Sequence, residues 1–158
     1  DTGYDWPGTI LPKRASGYQG RGPALANAPA LDMQQPYAAG SMYSTVEDLL
    51  KWDQALYEGR IISPALLDSA FKPYSHEKPG TKNYGLGWHL LMLPNNKKVI
   101  FHNGRWHGFN SAFARLTDEQ ITIIIAGNKM NMGVYQVSKK MYNLFGPYDG
   151  RSDDPGED

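Results

Sequence analysis

His102-Asn103-Gly104, continued by Arg105-Trp106-His107 and closed by Gly108, is the run whose residue types best suit chemistry. In an acyl-transfer site the tetrahedral oxyanion is held by preorganised backbone N–H groups. A strand edge also suits an acyl donor, because the substrate can pair with it as an added strand. Gly104 has no Cβ and lets a substrate come close to the backbone. Taken alone, His102 reads more readily as a satisfied core histidine at a strand end. Arg105, Trp106 and His107 fall in an expected loop between two strands, where binding residues often sit. A pocket-shaping role and an exposed polar turn suit these three about equally.

A second candidate is Ser69-Ala70-Phe71-Lys72, which spells S-x-x-K. Residues three apart share a helix face, and a lysine there can activate a serine. The motif sits at a helix end beside Pro73, however, and Lys72 more simply complements the negative end of that helix. It is not taken as a nucleophile. His76, His89, His102 and His107 lack a carboxylate at a recognised metal spacing, so no metal site and no cofactor are expected. Trp52, Trp88 and Phe109 read as core residues rather than ligand-stacking ones.

The elements that must position these residues follow from pattern. Residues 1–40 carry Pro7, Pro12, Pro23, Pro29 and Pro36 among many glycines, which predicts an irregular, extended arm belonging to a larger parent domain. Ser44-Thr45-Val46-Glu47 reads as a capping box opening a helix with Val46, Leu49, Leu50 and Leu56 on its stripe, flanked by Trp52 and ended by Gly59. A shorter helix starts at Ser63-Pro64 and stops before Pro73. Strands are predicted over Tyr84–Leu93, Val99–Asn103, Phe109–Leu116 and Ile121–Ala126, the last buried on both faces. Short connections make an antiparallel meander the natural topology. Val134, Val137, Met141, Leu144 and Phe145 form a final helical stripe. The fold class expected is α+β: helices packed on an antiparallel meander over 41–146, after the arm and before an acidic tail at 147–158 whose composition predicts disorder.

Lysine plus arginine and aspartate plus glutamate both number 16, so the zero net charge offers no attraction to nucleic acid or an anionic membrane. No apolar run approaches the roughly 20 residues of a membrane span, and Asp1–Asp5 has no signal-peptide pattern. The absence of cysteine excludes disulfides and thiolate zinc sites and leaves the compartment unknown.

Several segments together resemble the serine β-lactamase-like family, which includes class C β-lactamases, D-alanyl-D-alanine carboxypeptidases and penicillin-binding esterases. They are Ala38-Ala39-Gly40-Ser41-Met42-Tyr43-Ser44-Thr45 with Glu47-Asp48-Leu49, Trp52 and Ala55-Leu56; Tyr84-Gly85-Leu86-Gly87-Trp88, similar to a Y-G-x-G-W strand; His102-Asn103-Gly104 with Gly108-Phe109, similar to an H-x-G element followed by G-F; and Ile124-Ile125-Ala126-Gly127-Asn128. Asp1-Thr2-Gly3-Tyr4 and Ser16-Gly17-Tyr18 resemble the region after the family's catalytic tyrosine. Their order and spacing carry more than any single motif.

The resemblance implies that this chain is the C-terminal portion of a β-lactamase-like serine hydrolase. Its S-x-x-K nucleophile and Y-x-N tyrosine would come from a missing N-terminal half, which would leave the chain inactive alone. By resemblance His102 stands where related enzymes have the lysine of K-T-G. The backbone N–H of Arg105 matches an oxyanion-hole donor, and Gly104 completes the catalytic wall. Asn103, Trp106 and His107 would meet a small acyl substrate: a β-lactam, a D-amino-acid peptide or an ester. The location implied is periplasmic, secreted or cell-envelope. The alternative is a non-catalytic peptide or cell-wall binding module using the same strand edge. In the family N-terminal strands cover the last strand, so self-association through residues 121–126 is expected here.

Overall fold

The structure, a computed structural model, describes residues 1–29, 35–74 and 82–148. Its centre is a five-stranded antiparallel sheet in sequential order: β5 (Lys82–Tyr84), β6 (His89–Met92), β7 (Lys98–Trp106), β8 (Phe109–Leu116) and β9 (Ile121–Gly127). Before it come four two-residue strands, β1 (Gly3–Tyr4), β2 (Tyr18–Gln19), β3 (Ala26–Asn27) and β4 (Met42–Tyr43), and two helices, α1 (Val46–Tyr57) and α2 (Pro64–Ala70). Helix α3 (Gly133–Tyr142) follows the sheet. The fold is α+β, a meander sandwiched between helices.

Side chains alternate along each strand, so one sequence supplies two cores. Leu91, Val99, Phe101, Ala114, Leu116 and Ile123 face one side, where Tyr142 and Tyr148 join them. Leu90, Ile100 and Phe113 face the other and pack with Leu56 of α1 and Leu67 of α2. Tyr148 is buried, so ordered packing passes residue 147, where the tail was expected to begin. Residues 149–158 lie outside the described residues.

Several expectations need correction. The helix cap is Thr45, whose hydroxyl accepts from the Asp48 N–H at 3.2 Å. The Ser44 hydroxyl instead pairs with Thr2 at 2.7 Å, which the β1–β4 pairing brings beside it. The predicted strand over Tyr84–Leu93 is two strands joined by a tight turn, closed by Gly85 N–H donating to the Trp88 carbonyl at 2.8 Å. Gly87 takes φ +78° there, and a Cβ on Gly85 would lie 2.1 Å from the Ala70 carbonyl oxygen. The buried face of α3 is Tyr135, Ser138 and Tyr142; Val137, Leu144 and Phe145 are exposed. Trp52 and Phe109 are also substantially exposed, whereas Trp88 is buried. In β9 only Ile123 is fully buried, and Ala126 is open to solvent.

The arm is folded onto the sheet. Tyr18 N–H donates to the Asn128 carbonyl at 2.8 Å and Met130 N–H to the Tyr18 carbonyl at 2.9 Å, which adds β2 beside the exit of β9. Gly17 passes so close to the β7–β8 turn that a Cβ would meet the His107 carbonyl oxygen at 2.4 Å.

Candidate active site

The run His102–Trp106 is strand, not the loop expected over Gly104–Gly108. Strand β7 pairs with β8 through Trp106↔Phe109, leaving a two-residue turn of His107 (φ +35°) and Gly108 (φ +85°). Two positive φ values mark a type I′ hairpin, whose twist suits antiparallel strands. The residues flanking such a turn exchange hydrogen bonds directly, and their neighbours along the strand point the other way. Even-numbered residues of β7 therefore turn their N–H and C=O toward β8. At the other end, Leu93 N–H donates to the Lys97 carbonyl at 2.8 Å, which requires the odd-numbered residues to face β6. The two hairpins agree on one parity.

The consequence lies past Phe101. Strand β6 covers β7 only from Lys98↔Met92 to Phe101↔His89. Beyond that, the N–H groups of Asn103 and Arg105 point to an edge with which no strand pairs among the described residues. Beside it opens a groove of about 280 Å³ between α1 and the sheet, lined by Leu49, Trp52, Trp88, His102, Gly104 and Ser111 among others. Trp52 stacks on Trp88 with centroids 6.0 Å apart, and Phe113 meets both edge-on. Gly104 keeps this part of the wall low, since a Cβ would lie 2.5 Å from Ser111 Oγ across the strand pair and that side chain would have to turn aside.

Of the six residues singled out from sequence, His102, Asn103 and Gly104 line the groove. Arg105 sits on the open edge with its side chain exposed. Trp106 and His107 lie at the hairpin end, their rings 4.9 Å apart, and are not part of the groove wall. The Ser69 hydroxyl donates back to the Ala65 carbonyl at 2.9 Å, so it is engaged by its own helix and lies outside the groove lining. His76 lies outside the described residues. Among the described residues no three acidic or histidine side chains gather as a metal site, and no helix is long and apolar enough to cross a membrane.

Sequence reasoning did not single out Ser111, Tyr84 or the pair Asp53–Arg115. Ser111 is found once strand pairing places it opposite Gly104. Tyr84 reaches His102 Nε2 at 3.2 Å from β5. Asp53 stands at i+4 from Leu49 on the buried face of α1, and Arg115 interrupts the apolar end of β8; these opposite charges at core positions were the available signal. Tyr135 of α3 braces the site strand by donating to the Gly104 carbonyl at 2.9 Å.

Comparison with known proteins agrees with this architecture. The Beta-lactamase family model matches residues 1–145. The chain is 35% identical over 114 residues to Penicillin-binding protein 4* of Bacillus subtilis (strain 168), covering 70% of this chain and 25% of that protein. It therefore spans about a quarter of that relative's length. Among solved structures, a penicillin binding protein from Bacillus halodurans superposes with a TM-score of 0.76 at 20% identity, over 91% of this chain and 44% of that one. A D-stereospecific amidohydrolase from Streptomyces sp. superposes with a TM-score of 0.64 at 25% identity, over 80% of this chain and 38% of that one. With the motifs, the sheet order and a family match over nearly its whole length, the chain belongs to the Beta-lactamase family and carries part of a penicillin-binding-protein-like serine hydrolase domain.

Proposed function

We propose that this chain forms one wall of a serine acyl-hydrolase site and that the attacking serine comes from an S-x-x-K segment outside these 158 residues. The observation that carries the reading is the open β7 edge, with two outward N–H groups beside a groove floored by Gly104. The substrate carbonyl would lie along this edge with its oxygen on the Arg105 N–H. As the serine oxygen bonds to that carbon, the oxygen gains negative charge, and a donor already in place stabilises it at no reorganisation cost. Loss of one such donor costs about 3–4 kcal/mol of barrier. Collapse of the intermediate breaks the C–N or C–O bond, and the freed nitrogen or oxygen takes up the proton that the serine gave up on attack. Water then attacks the acyl-enzyme, releasing the acid and restoring the serine.

In this reading His102 supplies a hydrogen-bonding ring at the substrate's flank, and Asn103 presents its N–H next to that of Arg105. Trp106 and His107 would meet only a substrate long enough to reach the hairpin end. The substrate class is a β-lactam, a D-amino-acid peptide or a small ester. The similarity to a penicillin-binding protein and to a D-stereospecific amidohydrolase supports the first two.

Labelling with a fluorescent penicillin or a fluorophosphonate tests this. The chain joined to its S-x-x-K segment is expected to label covalently, and the 158-residue chain alone is not. Labelling of the isolated chain that disappears in Ser69→Ala would overturn the assignment.

A further inference from the structure

Resting on that reading, we propose that Tyr84 is a positioning residue that holds the His102 ring across the Asn103 carbonyl, so that the acceptor lying between the two outward N–H groups is already engaged. The His102 Nδ1 lies 2.8 Å from the Asn103 carbonyl oxygen. A carbonyl can only accept, so Nδ1 carries the proton. In a neutral ring Nε2 is then a bare acceptor, and the Tyr84 hydroxyl at 3.2 Å donates to it. The rings support this placement. His89 lies 5.3 Å from His102, 4.7 Å from Tyr84 and 5.0 Å from Phe101, and so packs among all three.

The parity of β7 turns the Asn103 carbonyl outward, to the same edge as its N–H. An unmasked edge there would alternate donor and acceptor and could take an added strand. With His102 donating into the Asn103 carbonyl, one lone pair is already used. The N–H groups of Asn103 and Arg105 stay free to converge on acceptor oxygens. Tyr84 thereby biases the Asn103–Arg105 stretch toward a carbonyl or carboxylate oxygen of the substrate, while the Arg105 carbonyl, turned outward by the same parity, can still accept from a substrate N–H. Sequence alone gave no role to Tyr84, which belongs to a different strand from His102 and contacts it only because β6 stops at His89.

The tautomer is directly readable. Histidine ring 15N shifts of this chain are recorded at mildly alkaline pH, where neutral rings are observed, for the wild type and for Tyr84→Phe. The wild type is expected to show a proton-bearing Nδ1 and a bare Nε2 at His102. Tyr84→Phe should move that ring to predominantly the Nε2–H form, while His89 keeps its own signal as a check on folding. Tyr84 is 39% exposed, so loss of its hydroxyl leaves no buried void. A wild-type His102 already in the Nε2–H form, or an unchanged tautomer in Tyr84→Phe, would overturn the proposal. Neither result bears on penicillin labelling, so failure here is separable from failure of the hydrolase reading.

Discussion

Arg115 Nε lies 2.7 Å from Asp53 Oδ1, and both side chains are almost wholly withdrawn from water. Thr122 donates to the second Asp53 oxygen at 2.6 Å, and the guanidinium faces the Tyr57 ring at 4.2 Å and the Trp88 ring at 5.9 Å. The pair bolts α1 to β8 directly behind the groove's aromatic wall, because Trp88 stacks on Trp52. An ion pair this deep gives little net stability over an apolar pair of the same volume, but either charge left alone is costly. Arg115→Met is therefore expected to destabilise the chain by about 3–5 kcal/mol, and Arg115→Met with Asp53→Leu to recover most of that. Urea unfolding of the single and double variants measures it. Equal losses in both would mean the charges do not act as a unit.

Two glycines face different obstacles. A Cβ on Gly104 would press on the Ser111 hydroxyl, whereas one on Gly17 would strike the His107 backbone carbonyl. A side chain can turn aside and a backbone oxygen cannot. Gly104→Ala should cost about 1–3 kcal/mol, largely relieved by adding Ser111→Ala. Gly17→Ala should show no comparable rescue by any side-chain truncation at the hairpin tip, and should loosen the arm as read by amide exchange near Tyr18.

Acid should open the far end of the sheet first. Lys97 hydrogen-bonds Glu119, the Tyr148 hydroxyl does the same, and together they hold the Glu119 carboxyl below its usual range. Because the folded-state value is below the unfolded one, the stabilisation is full above the unfolded carboxylate range of about 4.3 and is lost as pH falls through the folded value. Glu119→Gln should thus be less stable than wild type near neutrality, with the gap closing in acid. Chemical denaturation across pH tests the trend; a gap that widens in acid contradicts it.

Strand β9 pairs with β8 alone among the described residues, and an unprotected edge invites another strand. Concentration-dependent association through residues 121–127 is expected in light scattering, weakened by Ala126→Lys at the exposed position of that strand. A strictly monomeric chain at high concentration would count against it.

Much of this was legible in residue order. Strand β8 was bounded correctly between its flanking turns, and β9 was placed to within one residue at its end by its β-branched run, because short strands with sharp turns leave clear marks. The hairpin around Gly104 was misjudged as loop because glycine and polar residues ordinarily end strands; the true turn is only His107-Gly108. The face of α3 was misread because aliphatic residues were weighted over Tyr135 and Tyr142. Tyrosine rings bury well when the hydroxyl finds a partner, as Tyr135 does on Gly104. The cap is one residue later than expected, at Thr45, while the Ser44 hydroxyl is engaged with a distant threonine, Thr2. That engagement depends on tertiary pairing, which no local pattern contains.

The most direct measurement is a crystal structure of the acyl-enzyme formed when this chain, joined to an S-x-x-K segment of the family, reacts with a β-lactam. The acyl carbonyl oxygen is expected within hydrogen-bonding distance of the Arg105 backbone N–H, with the ligand running along β7 beside His102 and Gly104. A covalent adduct whose carbonyl points away from this edge, with the edge covered by other parts of the protein, would contradict the account.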